Sequence, residues 1–201
     1  MRMTIPAPAH RLPTLDYILK LNEDPGSIFY HNIDTDHIGI AGHSQGGPGA
    51  YNAVTKQENG YYYKAIFTAS ATSSFWGRAD KLGTEWSYDL SNLSIPTLMV
   101  AGTRAWDAGS TADKTAESGQ SIAPLWSLTE NFEAIPDSTP KVMAREKDKD
   151  HGDMLRYADG YMTAWFMYWL KGDEEAGKAF FGEEPEISRN KNWQNVRIGG
   201  R

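Results

Sequence analysis

The sequence predicts an α/β fold: a parallel sheet flanked by helices. Three observations carry this expectation. Short apolar runs of strand length, each bounded by turn residues, recur along the chain. Amphipathic helical patterns alternate with them. One of the runs leads directly into a glycine-flanked serine turn, Gly42-His43-Ser44-Gln45-Gly46, and then into a helix. Strands that alternate with helices pair in parallel, because each helical crossover carries the chain back to the end of the sheet where the previous strand began.

The elements follow in order. Thr14 is the expected N-cap of a first helix whose Leu15, Ile18 and Leu19 share a face, and Asp24-Pro25-Gly26 ends it. A polar stretch, His31-Asn32-Ile33-Asp34-Thr35-Asp36, leads into the first strand, His37-Ile38-Gly39-Ile40-Ala41. After the serine turn, residues 49–56 are expected as a helix and Lys64-Ala65-Ile66-Phe67-Thr68-Ala69-Ser70 as the second strand. Two further strands follow prolines: Thr97-Leu98-Met99-Val100-Ala101 after Pro96, and Lys141-Val142-Met143-Ala144-Arg145 after Pro140. Between these two, Leu125, Leu128, Phe132 and Ile135 keep helical spacing and predict a helix over 124–135. Met154, Tyr157, Tyr161, Trp165 and Trp169 predict one long helix over 153–170. There is no internal repeat, and residues 1–201 read as a single domain. The polar tail 182–201, glycine-rich at its end, is expected to run along the surface or fray. Two long loops, about 71–94 and 103–123, follow strands at their carboxyl ends, where sheets of this kind build their sites.

Composition bounds the functions. With 40% hydrophobic and 12% aromatic residues the chain can build a packed core, which argues against disorder. A net charge of −6 offers no basic face for a phosphate backbone, so nucleic acid is not an expected partner. Without cysteine there is no disulfide framework and no thiolate metal site, and the compartment is left open. The start of the chain, Met1-Arg2-Met3-Thr4-Ile5-Pro6, has no apolar signal-peptide core, and no stretch has membrane-spanning length. Localisation is therefore unassigned.

The serine turn fits G-x-S-x-G, in which a strained strand-to-helix backbone lifts a serine hydroxyl clear of the sheet. Glycine is expected at both flanks because strand and helix pack closely there. The bare pattern is short enough to arise by accident, but the strand before it, the helix after it and the strand series downstream make a nucleophile site the better reading. The alternative is an ordinary glycine-rich loop binding an anion at a helix N-terminus. The fingerprints G-x-G-x-x-G and G-x-x-x-x-G-K-[ST] are both absent from this turn.

A serine hydroxyl needs an adjacent base, and at such turns the chain order is serine, acid, histidine. Of the five histidines, His10, His31, His37 and His43 precede Ser44, which leaves His151. It lies in Asp148-Lys149-Asp150-His151-Gly152-Asp153, after the last strand; without the serine turn it would read as a surface histidine. The acid should orient the imidazole and is expected just past the third strand. Asp107 in Thr103-Arg104-Ala105-Trp106-Asp107 is the first choice, with Asp113 and Glu117 in the same loop as alternatives. Asp148 and Asp150 lie close to the histidine in sequence and come after these.

With these residues in place, the chain resembles the dienelactone-hydrolase-like and polyester-hydrolase (cutinase-like) branch of the α/β-hydrolases. The likeness rests on Asp34 through Gly47, on Ile95-Pro96-Thr97-Leu98-Met99-Val100-Ala101-Gly102, and on Asp150-His151-Gly152 followed by Trp165-Phe166 and Leu170-Lys171-Gly172-Asp173. It implies a serine carboxylester hydrolase with no metal and no cofactor, with nucleophile and base mapped onto Ser44 and His151. It also implies that Trp76 walls the acyl pocket; the plainer reading of Trp76 is a packing residue. Trp86 or Trp106 would add to the apolar wall.

Two departures from the family pattern matter. Polyester hydrolases carry the acid immediately before a segment like Ser121-Ile122-Ala123-Pro124, where this chain has Gln120. The chain ahead of Ser44 also holds only one helix, a loop and one strand, with no HGGG-like segment to supply the second oxyanion donor. The expectation is therefore about four parallel strands, the C-terminal half of the family's sheet, with the Gln45 N–H as the one assignable oxyanion donor. Loss of a donor typically costs about 10²–10³ in rate. The first strand would present an open edge, so the chain is expected either to be the shortened product of a longer gene or to close that edge as a homodimer. A small-molecule ester is the expected substrate. The alternatives are a non-catalytic remnant or interaction subunit and a serine peptidase of the prolyl-oligopeptidase type.

Overall fold

The computed structural model describes residues 14–77, 88–108 and 121–200. Two compact units are present, Met1–Asp36 and His37–Arg201. The first contains α1 (Thr14–Glu23). Past its end the backbone is gathered by Asn22, whose carbonyl accepts from the His31 N–H at 2.9 Å and whose Oδ1 accepts from the Ile33 N–H at 3.0 Å.

The second unit is an α/β sheet domain. Its strands are β1 (Ile38–His43), β2 (Tyr63–Ala69), β3 (Thr97–Gly102), β4 (Lys141–Glu146) and β5 (Trp193–Gly199), in the order β1-β2-β3-β4-β5. The first four are parallel and β5 is antiparallel to β4. The helices are α2 (Gly46–Thr55), α3 (Ala105–Ala108), α4 (Leu125–Ala134), α5 (Met154–Tyr157), α6 (Asp159–Lys171), α7 (Glu174–Gly177) and α8 (Glu186–Arg189). No helix among the described residues is long and apolar enough to cross a membrane.

Alternation along the strands builds two cores. Ile66, Met99, Ala101 and Met143 face one side, where Ala50 and Tyr51 of α2 and Leu128 and Phe132 of α4 cover them. Ala65, Phe67, Leu98, Val100, Val142 and Ala144 face the other, against Met154, Trp165, Phe180 and Ile187. A sheet buried on both faces reads in sequence as nearly continuous apolar runs, which is why these strands were recognisable without alternation.

The four expected parallel strands are present, and a fifth, antiparallel strand extends the sheet. Two expectations are corrected. The tail does not simply run along the surface: it supplies α8 and β5, with Ile187 and Trp193 buried. Polar residues between Trp193, Val196 and Ile198 hide the strand, because an antiparallel edge strand needs only one apolar face. Finally, the helix expected over 153–170 is broken at the wholly buried Ala158 (φ −102°, ψ 2°), ahead of the weak helix formers Asp159 and Gly160. Tyr157 is exposed on one side of the break, while Met154 and Trp165 both enter the core.

Candidate active site

Four successive strand ends supply the site. Ser44 follows β1, Ser70 follows β2, Asp107 lies in α3 after β3, and His151 lies in the loop after β4. Parallel pairing puts all four strand ends on one edge of the sheet, with His43 opposite Ala69 and Gly102 opposite Glu146.

Ser44 has φ 56°, a left-handed conformation that costs a non-glycine residue of order 1–3 kcal/mol and persists only where surrounding bonds enforce it. Here they do: the Ser44 N–H donates to the Ala69 carbonyl at 3.1 Å, and its own carbonyl accepts from the Gly47 and Thr72 N–H groups at 3.0 and 3.1 Å. The close packing expected of the flanking glycines holds on one side only. A Cβ on Gly42 would lie 2.0 Å from the Gly46 carbonyl oxygen, whereas a Cβ on Gly46 meets nothing within 4 Å. The second tight glycine is Gly47, where a Cβ would come within 2.4 Å of the Ala71 Cβ.

Asp107 is wholly buried. Its Oδ1 accepts from His151 Nδ1 at 2.8 Å, and its Oδ2 accepts from Ser70 Oγ at 2.5 Å and from the Gly102 N–H at 2.7 Å. Three donors compensate a carboxylate that burial would otherwise penalise. Because a carboxylate has only lone pairs to offer, Nδ1 carries the ring proton and Nε2 of the neutral imidazole is the basic nitrogen. Nearby, burial lowers the Arg145 guanidinium below its ordinary pKa, and the charge of Asp107 opposes that shift. Burial raises the Glu146 carboxyl above its ordinary pKa, with Lys149 opposing and Asp153 adding to the effect.

The structure joins Asp107 and His151 directly. The residue before Ser44 also meets the His151 loop: His43 Nε2 donates to the His151 carbonyl at 2.8 Å, and the two imidazole rings lie 4.5 Å apart. Ser44 Oγ makes no hydrogen bond among the described residues. Gln45 stands at the start of α2, exposed, and its N–H likewise has no partner among them. Trp76 is half-buried; its indole N–H donates to the Ser121 carbonyl at 3.1 Å and its ring meets Phe75 edge-on. Trp106 is 68% exposed. Asp113, Glu117, Trp86 and Gln120 lie outside the described residues.

Sequence reasoning missed Ser70. It is wholly buried, has φ 47°, and donates the shortest bond to the acid. The available signal was its place as the first residue past β2. A cavity of about 300 Å³ opens beside the turn, lined by Pro48, Thr72, Ser73, Tyr88, Leu90 and Asn131 among others. The buried hydroxyls of Thr72 and Ser73 have no hydrogen-bond partner among the described residues. No group of three or more His, Cys, Asp or Glu side chains among the described residues is arranged to hold a metal ion. No protein-family model matches the sequence, and no curated protein is significantly similar to it.

Proposed function

We propose that this chain is a serine hydrolase of carboxylic esters, in the dienelactone-hydrolase-like and polyester-hydrolase branch of the α/β-hydrolases. The observation that carries the reading is the buried Asp107 carboxylate on His151 Nδ1 at 2.8 Å, at the sheet edge where Ser44 is held at φ 56°. Strain and a buried charge are both costly, and their coincidence at strand ends has a purpose in acyl transfer.

In the proposed reaction His151 Nε2 takes the Ser44 hydroxyl proton while Oγ attacks the ester carbonyl carbon. The oxyanion rests on the Gln45 N–H, and Asp107 stabilises the imidazolium. Collapse breaks the ester C–O bond, and the departing alcohol leaves with the proton held by His151. Water, deprotonated in turn by His151, then attacks the acyl carbon; the bond to Ser44 Oγ breaks, that oxygen takes the proton back from His151, and the acid is released. The Trp76 ring contributes an apolar wall. No metal or cofactor takes part. Pairing of two copies through the β1 edge belongs to the same proposal.

One observation favours a second reading, a non-catalytic subunit that keeps the turn for its fold: Ser44 Oγ lacks a hydrogen bond to His151. Catalytic hydrogen bonds are often long before substrate binds, so the esterase reading stands first. Hydrolysis of p-nitrophenyl acetate and butyrate by the chain and by Ser44→Ala decides between them, with molar mass from light scattering on the same samples. Turnover that vanishes in the variant supports the esterase; equal background rates from folded samples support the second reading.

A further inference from the structure

The backbones that carry Asp107 and His151 meet at a second carboxylate. Asp150 Oδ1 accepts from the Asp107 N–H at 3.1 Å and from the His151 N–H at 2.9 Å. Asp150 is fixed in turn: its own N–H donates to Asp153 Oδ2 at 2.9 Å, and its carbonyl accepts from the Asp153 N–H at 2.9 Å. The rest of this loop is anchored to the chain just after β3. The Asp148 N–H donates to Thr103 Oγ1 at 2.9 Å, and the Lys149 carbonyl accepts from the Thr103 and Arg104 N–H groups, both at 2.9 Å. Asp148 takes φ 58° to allow it.

We propose that Asp150 is the positioning residue of this site, setting the spacing of acid and base by holding both backbones on one oxygen. The imidazole–carboxylate bond then needs no search of loop conformations, because the two residues are already tied at their main chains. The requirement is for an acceptor at Oδ1 rather than for charge, so asparagine can replace Asp150 and alanine cannot. The catalytic consequence rests on the esterase reading; the spacing itself does not.

Asp150→Ala and Asp150→Asn test it on the full chain through two readouts. The first is the low-field proton resonance of His151 Nδ1–H bonded to Asp107, which needs no activity. The second is kcat and KM on p-nitrophenyl butyrate. The expected result is loss of the resonance in Asp150→Ala with kcat down roughly 10- to 100-fold and KM within about twofold, and retention of both in Asp150→Asn. A resonance and kcat unchanged in Asp150→Ala overturn the proposal, as does an Asp150→Asn variant that loses both. If Asp150→Ala does not fold, Asp150→Asn decides alone on the same criteria. A parent without turnover removes the esterase reading, while the resonance still judges the clamp; a parent without the resonance removes the clamp.

Discussion

At the scale of single residues, the site is organised around one buried carboxylate with three donors. Removing Ser70 takes away the hydroxyl that satisfies Asp107 Oδ2, leaving that oxygen only the Gly102 N–H. Ser70→Ala is expected to cost roughly 1.5–3 kcal/mol in urea unfolding, the range for a hydrogen bond to a charged group, and to lower ester turnover. Glu146 gives a pH signature of the opposite sign to most carboxylates. Its folded pKa is raised by burial, so the folded state holds its proton more tightly than the unfolded chain. Stability is then lost as pH rises from the ordinary glutamate range through the raised folded value. Glu146→Gln is expected to melt above the parent at pH 8, by a margin that shrinks towards pH 4; a margin independent of pH would refute this.

At the scale of elements, the serine turn and the last strand are the sensitive parts. Gly42→Ala forces a methyl into the Gly46 carbonyl and is expected to cost at least about 3 kcal/mol, whereas Gly46→Ala meets open space and should stay within about 1 kcal/mol of the parent. Paired thermal melts separate the two glycines that one motif treats alike. β5 closes the β4 edge and adds Trp193, Val196 and Ile198 to the second core. A chain ending at Asn190 would expose that edge and part of that core, so it is expected to bind the hydrophobic dye ANS and to aggregate. A truncated chain that stays monomeric with the parent's near-ultraviolet spectrum would show the strand to be dispensable.

At the scale of the whole molecule, the unit His37–Arg201 depends on cores on both faces of one sheet. Trp165 is wholly buried and meets Phe180 edge-on at 4.9 Å. Trp165→Ala is expected to cost about 3–5 kcal/mol, a large part of the 5–15 kcal/mol that stabilises a typical domain. Its melting temperature should fall on the order of 10 °C. Esterase activity, if the proposed function holds, should disappear in that same transition, since the four strand ends that build the site are placed by the sheet.

The sequence by itself determined the first four strands, the serine turn and the order in which the strand ends deliver their residues. Each of these is a local signal: a buried parallel strand is an apolar run, and a turn is spelled by its own residues. Asp107 and His151 were legible for the same reason, each lying a few residues past a readable strand. Only the tertiary structure decided that they touch, that Ser70 completes the acid's partners from 37 positions away, and that Asp150 ties two backbones 44 positions apart. It also decided that β5 joins β4. Those contacts depend on sheet register and on loops anchored across it, and register is fixed by packing of the whole unit, which no stretch of sequence contains.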